Sequence, residues 1–173
     1  PFRGFKTHLY EGGVRSSMVV WGPGLLEKKD HVDRDSVFSA IDRAPTLLAI
    51  TSVQPPSGPK YDGESLPDTL LGKGGSRQSP IFFRRPPDRD SFYGVDDLPD
   101  LAMREGKWKF LCEYDGSDPE LYDLKTDRGE TTNVADQHAG LVNRFTEALT
   151  QWHESMPPDN GATYVAKPKR RKK

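Results

Sequence analysis

Cysteine and long apolar runs are what this 173-residue sequence has least of. Its single cysteine, Cys112, excludes a disulfide within the chain and leaves the redox compartment open. No run of about 18 apolar residues occurs, so the sequence predicts no transmembrane helix. Apolar residues make up only 34% of the chain, while charged residues make up 29%. We therefore expect one domain, or two small ones, around a modest core.

The N-terminus also lacks the features of a secretory signal peptide. Residues 1–4 read Pro-Phe-Arg-Gly, without a starting Met and without the apolar segment that a signal peptide needs. We expect the sequence to be part of a longer chain. The missing signal therefore does not indicate the compartment of the complete protein.

The net charge of −1 conceals an uneven distribution of charge. Six of the 25 basic residues lie in residues 167–173, so the remaining 19 face 26 acidic residues. Such a basic block is typical of a disordered, solvated end, and we assign residues 161–173 to a disordered tail. The tail could also bind nucleic acid, an acidic surface or a sulfated polysaccharide. The rest of the chain is acidic, which argues against binding to nucleic acid. We therefore do not expect nucleic acid as a partner.

The most distinctive stretch is residues 6–24. It opens with Lys-Thr-His-Leu-Tyr-Glu-Gly-Gly-Val-Arg and continues into an apolar segment closed by Gly-Pro-Gly. The apolar residues 19–21 predict a buried strand. A Gly-Gly pair lets the backbone approach another group closely or take a positive φ. Because Lys6 and Arg15 flank the pair, we expect that group to be an anion.

The pattern of the remaining chain changes at a glycine-rich linker, residues 72–79. Before the linker we predict a short strand, a helix and a short helical piece, over residues 36–41, 42–51 and 66–71. After it we predict an antiparallel meander of four strands, over residues 81–85, 101–105, 107–113 and 120–124. Apolar residues at helical spacing between Leu141 and Trp152 predict a final helix that packs on the sheet.

Five motifs in this order resemble the type I sulfatase family. The first is Lys-x-x-x-Tyr-Glu-Gly-Gly-x-Arg with Trp-Gly-Pro-Gly, in residues 6–24. The others are Asp-Arg-Ala-Pro-Thr-Leu-Leu, Asp-Gly-Glu-Ser-Leu, Arg-Glu-Gly-Lys-Trp-Lys, and Glu-Leu-Tyr-Asp-Leu followed by Asp-Arg-Gly-Glu-Thr-Thr-Asn. They begin at residues 42, 62, 104, 120 and, for the last segment, 127. The resemblance covers roughly residues 3–156.

The resemblance implies an α/β protein of the alkaline-phosphatase-like sulfatase fold. Residues 1–78 would be the C-terminal end of its large α/β domain, and residues 79–160 its small antiparallel sheet with a packed helix. It also implies hydrolysis of aryl or carbohydrate sulfate esters, in a periplasmic, secreted or lysosomal setting. As a partner we expect a sulfate ester substrate, with no membrane span.

The family's catalytic groups are only partly represented in this sequence. The resemblance implies a formylglycine nucleophile made from Cys/Ser-x-Pro-x-Arg, and a bound calcium ion. Neither that motif nor the family's calcium carboxylates occur here, so we expect no metal ligands in this chain. We interpret it as the C-terminal third of a sulfatase and expect it to be inactive alone. The alternative is a degenerate, non-catalytic module that binds sulfated glycans.

The resemblance assigns roles to several residues of the first motif. Lys6 would contact the sulfate of the substrate and act in catalysis. The family pattern does not fix the position of His8, whose imidazole could donate to the sulfate or the leaving group; an ordinary loop histidine is the alternative. The remaining motif residues would hold the loop by ion pairs, hydrogen bonds and close backbone packing: Glu11, Gly12, Gly13 and Arg15.

A second set of basic residues lies near the end of the first strand of the meander. Arg84 and Arg85, with Arg89, are candidates for binding an anionic substrate such as a sulfated sugar. The alternative is a solvated strand end. The residues that choose the substrate alcohol cannot be identified from the sequence, and neither can the oligomeric state.

Overall fold

The C-terminal half of the chain, where the sequence has strand and helix periodicity, forms one sheet covered by one helix. The computed structural model describes residues 2–26, 31–55, 57–58, 60–85 and 98–157. The sheet has four antiparallel strands in the order β1-β2-β3-β4. These are β1 (Ile81–Arg84), β2 (Leu101–Glu105), β3 (Trp108–Cys112) and β4 (Glu120–Asp123). Helix α4 (Ala139–Ser155) follows a 3-10 turn, Ala135–Gln137. The predicted sheet and final helix are confirmed.

The register of the sheet separates two faces, because side chains alternate along each strand. Met103 pairs with Phe110, and Phe110 pairs with Leu121, on one face. Phe145 and Leu149 of α4 are buried against that face. Burial of these large apolar side chains accounts for the packing of α4 on the sheet.

The N-terminal segment covers the opposite face of the sheet. Leu9 and Tyr10 pack there against Ala102, Leu111 and Tyr122. Directly after them comes α1 (Glu11–Val14), a single helical turn. The sheet is thus buried on both sides, by α4 and by the first motif of the sequence.

The chain divides into two compact units. The sheet unit contains residues 2–15 together with the described residues from 82 to 157. The helical unit contains the described residues from 16 to 81, with the 3-10 turn Ala40–Asp42, α2 (Arg43–Thr51) and α3 (Pro67–Leu70). The assignment of residues 1–78 and 79–160 to the two domains of a complete family member stays a prediction. The tail, residues 161–173, lies outside the described residues.

Two strand predictions in the helical unit are wrong. Residues 36–39 lead without strand structure into a 3-10 turn, and residues 19–21 form neither helix nor strand. The side chains of Val19 and Trp21 are 91% and 85% exposed. A strand requires hydrogen bonds to a neighbouring strand. In the described part of the chain the four strands belong to one sheet, and none pairs with residues 19–21.

Asp42 holds the helical unit together instead of capping α2 through its side chain. This carboxylate is fully buried and ion-paired with the guanidinium of Arg77. It also accepts hydrogen bonds from the backbone N–H of Ser39 at 2.7 Å and of Glu64 at 2.8 Å. A buried charge needs this many partners, and Asp42 thereby ties three separate segments to the start of α2.

Candidate functional site

Lys6 lies at the tip of a tight turn at the start of the sheet unit. The backbone N–H of His8 donates to the carbonyl oxygen of Phe5 at 2.9 Å, which closes the turn over Lys6 and Thr7. Lys6 is exposed, and Thr7 has a φ of 87°. A β-branched residue rarely adopts positive φ, and such strain persists only where the surroundings enforce it. The ammonium of Lys6 is therefore presented on a turn that its surroundings constrain.

Gly13 lies against that turn, and Gly12 lies against Arg3 and Gly4, the residues that lead into it. The N–H of Gly12 donates to the carbonyl of Arg3 at 2.8 Å. A Cβ added to Gly13 would lie 2.0 Å from the carbonyl oxygen of His8 and 2.7 Å from that of Phe5. The Gly-Gly pair thus serves close backbone approach and not positive φ. The group that approaches is the chain's own turn and not an external anion.

Glu11, next to this pair, lies on the sheet in a buried cluster of charges. Its side chain is only 2% exposed. The ammonium of Lys109 is 3.3 Å from Oε1, and the guanidinium groups of Arg15 and Arg104 are each 3.5 Å from Oε2. Three cations on one buried carboxylate supply the partners that its desolvation demands. These contacts attach the start of α1 to β2 and β3.

A second buried carboxyl group, that of Glu130, binds the same helical turn. Its Oε2 accepts a hydrogen bond from the backbone N–H of Glu11 at 2.7 Å. Burial raises the pKa of Glu130 to about 7, while the nearby Lys109 acts in the opposite direction. Burial also lowers the pKa of Lys109, against the attraction of Glu11 and Glu130. The cluster is therefore sensitive to protonation close to neutral pH.

The raised pKa of Glu130 predicts a pH-dependent stability. Between about pH 4.5 and about pH 7, Glu130 keeps its proton in the folded state and releases it in the unfolded state. This group therefore lowers the stability of the fold as the pH rises. The substitution Glu130→Gln removes that penalty. We subtract the free energy of unfolding of the unsubstituted chain from that of the variant. This difference should increase by about 3 kcal/mol between pH 4.5 and pH 8. Urea unfolding at several pH values measures the difference.

The comparison of the two proteins isolates Glu130 from other groups that titrate in this range. Burial and a hydrogen bond with Asp100 raise the pKa of Glu113 to about 7 as well. Glu113 is present in both proteins, so its contribution cancels in the difference. A difference that stays constant from pH 4.5 to 8 would contradict the assignment to Glu130.

His8 is buried beneath the turn, in contrast to Lys6. Its ring lies 4.1 Å from that of Phe5 and 6.4 Å from that of Tyr10, measured between centroids. Burial, followed by the positive charges of Arg85 and Arg3, lowers the pKa of His8. The imidazole is therefore neutral at neutral pH. A catalytic role for His8 stays a prediction.

The structure places Arg84 and Arg85 at the end of β1, both partly buried. The guanidinium of Arg85 pairs with the carboxylate of Asp100 at 3.1 Å, and its carbonyl accepts a hydrogen bond from the hydroxyl of Tyr114. Arg85 is thus engaged within the sheet unit. Substrate binding by Arg84 and Arg85 stays a prediction, and Arg89 lies outside the described residues.

A cluster around Arg3 fixes the segment that leads into the turn. The Arg3 guanidinium stacks 3.9 Å from the centroid of the Tyr10 ring and donates to the hydroxyl of Tyr122 at 2.7 Å. Both tyrosine hydroxyls donate to the carboxylate of Glu120, at 2.9 and 2.6 Å. These contacts join the N-terminal segment to β4.

Metal and thiol chemistry find little support in the described residues. Within the ranges that the structure describes, no group of three or more His, Cys, Asp or Glu side chains could hold a metal ion. These residues therefore do not fit the calcium ion that the resemblance implies. Cys112 is buried in β3, and burial raises the pKa of its thiol to about 12. It stays a protonated thiol, which is a poor nucleophile.

Sequence reasoning missed three residues that build this site: Lys109, Arg104 and Glu130. One signal was available for Lys109, because strand alternation places it on the same face as the apolar Leu111. A charged residue at a core-facing position indicates a buried partner. No feature of the sequence indicated that the partner would be Glu11, 98 residues away.

Comparison with known proteins gives a consistent result. Residues 4–155 match the family model described as N-sulphoglucosamine sulphohydrolase, C-terminal. Arylsulfatase K of Mus musculus is 33% identical over 149 residues, which cover 84% of this chain and 26% of that protein. Choline-sulfatase of Rhizobium meliloti is 31% identical over 144 residues, which cover 82% of this chain and 25% of that protein.

A solved structure agrees with these sequence matches. It comes from work on the metabolism of multiple glycosaminoglycans by Bacteroides thetaiotaomicron and superposes with a TM-score of 0.67 at 26% identity. The match covers 89% of this chain and 31% of that one. This chain thus spans roughly a quarter of the length of the two curated relatives. Among the described residues, no helix is both long and apolar enough to cross a membrane.

Proposed function

This chain belongs to the sulfatase family, and on that basis we propose that the complete protein hydrolyses a sulfate ester of a carbohydrate or an aryl alcohol. We assign to Lys6 the contact with the sulfate. The observation that carries this assignment is its position. Lys6 is an exposed cation at the tip of a turn whose Phe5 and His8 carbonyl oxygens lie against the backbone of Gly13.

The chemistry of a sulfate ester suits an ammonium group at this place. Negative charge shifts onto oxygen as the bond between sulfur and the alcohol oxygen breaks. A compact cation that is already in position stabilises that charge without reorganising. Because the turn is closed over Lys6, the ammonium can be aimed at the substrate, whereas a lysine on a mobile loop would have to be ordered first.

We propose that the nucleophile and the calcium ion belong to a part of the protein outside this sequence. The sequence contains no Cys/Ser-x-Pro-x-Arg motif. The family's formylglycine would supply the attacking oxygen, and we assign no step and no calcium ligand to residues of this chain. It follows that the isolated 173-residue chain should not turn over a sulfate ester.

The names of the relatives support a small sulfated alcohol or a sulfated sugar as the substrate. One relative is a choline-sulfatase, and another, from Bacteroides thetaiotaomicron, is an N-acetylgalactosamine-6-O-sulfatase that is 28% identical over 162 residues. That match covers 86% of this chain and 29% of the relative. We propose the same broad class here, without assigning the alcohol.

Replacing Lys6 in the complete protein tests the proposal. Loss of one preorganised charge that stabilises a transition state costs about 10²- to 10³-fold in kcat. We expect Lys6→Ala to show a loss of that size, measured by release of a coloured phenol from an aryl sulfate. Lys125→Ala is the matched control, since Lys125 is another exposed lysine of the sheet unit, and its kcat should not change.

Two outcomes would contradict the proposal in different ways. An unchanged kcat in Lys6→Ala would remove the role given to Lys6. Salt-sensitive binding of a sulfated oligosaccharide by the complete protein, without hydrolysis, would instead favour a non-catalytic module. Turnover by the isolated chain that survives Lys6→Ala would overturn both the role of Lys6 and the external nucleophile.

A further inference from the structure

Lys109 is an unusual residue at its position in the fold. It is the second residue of β3, opposite Arg104 of β2 and Tyr122 of β4, and its side chain is 0% exposed. A lysine is almost never fully buried unless it is paired, because desolvating its ammonium is costly. Its ammonium is ion-paired with the carboxylate of Glu11, at 3.3 Å. The lysine and the first motif of the sequence are therefore joined inside the sheet unit.

A short, continuous path of contacts leads from Lys109 to Lys6. Glu11 is the first residue of α1 and is followed at once by Gly12 and Gly13. The carbonyl oxygens of the turn would lie 2.0 and 2.7 Å from a Cβ on Gly13, so this turn touches the glycine backbone itself. A displacement of Glu11 would consequently move the base of the turn that carries Lys6.

We propose that Lys109 is a positioning residue for sulfate ester hydrolysis, which fixes Glu11 and, through the Gly12-Gly13 backbone, the turn that presents Lys6. This inference rests on the function proposed above. Lys109 does not touch substrate, since its side chain is fully buried against Glu11. Its effect on the reaction passes entirely through the placement of the Lys6 ammonium.

A structural role alone makes a different prediction. A buried ion pair that only stabilises the fold would change the melting temperature and leave the kcat of the folded enzyme unaltered. A positioning role changes kcat, and does so only while Lys6 is present. A double-substitution cycle between residues 109 and 6 separates the two, because it measures whether their effects are independent.

The experiment compares four forms of the complete protein: unsubstituted, Lys109→Met, Lys6→Ala and the double variant. Methionine keeps the length of the side chain and removes its charge. Misplacement of a catalytic group by about 1 Å can cost 10²-fold, so we expect Lys109→Met to lower kcat about 10- to 100-fold. In the Lys6→Ala background the same substitution should leave kcat nearly unchanged, while the melting temperature falls equally in both backgrounds.

Two further variants keep the test decisive. Leu149→Ala creates a cavity on the α4 face of the same sheet and should lower the melting temperature without changing kcat. If Lys109→Met fails to fold, Lys109→Arg replaces it, because arginine keeps the charge and displaces Glu11 by its bulk. We expect the kcat loss of Lys109→Arg, likewise, to be absent in the Lys6→Ala background.

The possible failures are distinguishable. If Lys109→Met leaves kcat unchanged, or if its effect multiplies with that of Lys6→Ala, the positioning role is wrong and the proposed function stands. If Lys6→Ala itself leaves kcat unchanged, the proposed role of Lys6 and the positioning role of Lys109 are both overturned.

Discussion

Replacing Glu11 with alanine is expected to destabilise the sheet unit by about 3–5 kcal/mol. The substitution leaves the buried Lys109 without its carboxylate at 3.3 Å, and it removes the ion-pair partner of Arg104 and Arg15. An uncompensated buried charge, and not the lost attraction alone, causes the penalty. Urea unfolding of the chain followed by tryptophan fluorescence measures it, because Trp108 and Trp152 pack against the core of this unit.

A matched control comes from an exposed ion pair of the same sheet. Glu105 at the end of β2 accepts from the guanidinium of Arg144 at 3.1 Å, closer than any of the three cations around Glu11. The Arg144 side chain is 54% exposed, so water replaces its partner at little cost. We expect Glu105→Ala to cost less than about 1 kcal/mol. Equal losses in Glu11→Ala and Glu105→Ala would refute the argument from burial.

The substitution Gly13→Ala should be as damaging to activity as the loss of Lys6 itself. The new Cβ would lie 2.0 Å from a backbone carbonyl oxygen, so the turn over Lys6 must move. In the complete protein we expect kcat to fall by at least about 10²-fold. The forced displacement should also cost stability, by about 1–3 kcal/mol or more, as overpacking does. Kinetics and urea unfolding of the same variant measure the two effects.

A glycine elsewhere in the sheet unit provides the control for Gly13→Ala. Gly140 is exposed in the first turn of α4, and a Cβ added there would meet nothing within 4 Å. Alanine has the higher helix propensity, so Gly140→Ala should be neutral or stabilising by up to about 1 kcal/mol. Normal kcat in Gly13→Ala would show that the turn does not depend on the close approach.

Local patterns predicted the elements of the sheet unit well, because each element carries its own periodicity. The predicted strand 101–105 matches β2 as observed, and the apolar spacing between Leu141 and Trp152 falls within α4. The prediction failed at residues 19–21, whose composition is that of a buried strand. Composition describes what a segment would do if a partner strand were available, and it cannot supply the partner.

The candidate site was predictable in part for the same reason. The Lys-x-x-x-Tyr-Glu-Gly-Gly-x-Arg motif identified Lys6 and the loop residues from adjacent positions in the sequence. Lys109 and Glu130 were missed, because they reach the motif from β3 and from a later loop, 98 and 119 residues away. No local pattern reports a contact across such a separation.

The sequence by itself determined the family and the sheet with its packed helix, and it supplied the prediction that Lys6 is the cation for the sulfate. Only the tertiary structure decided what holds that cation in place. It showed that Gly12 and Gly13 lie against the chain's own backbone, in the turn and in the residues that lead into it. It also showed that the buried Glu11 pairs with three cations, from the C-terminal end of α1, from β2 and from β3. The physical reason is that periodicity and motif spacing act between neighbours along the chain. The pairing of buried charges is decided by which elements the fold brings together.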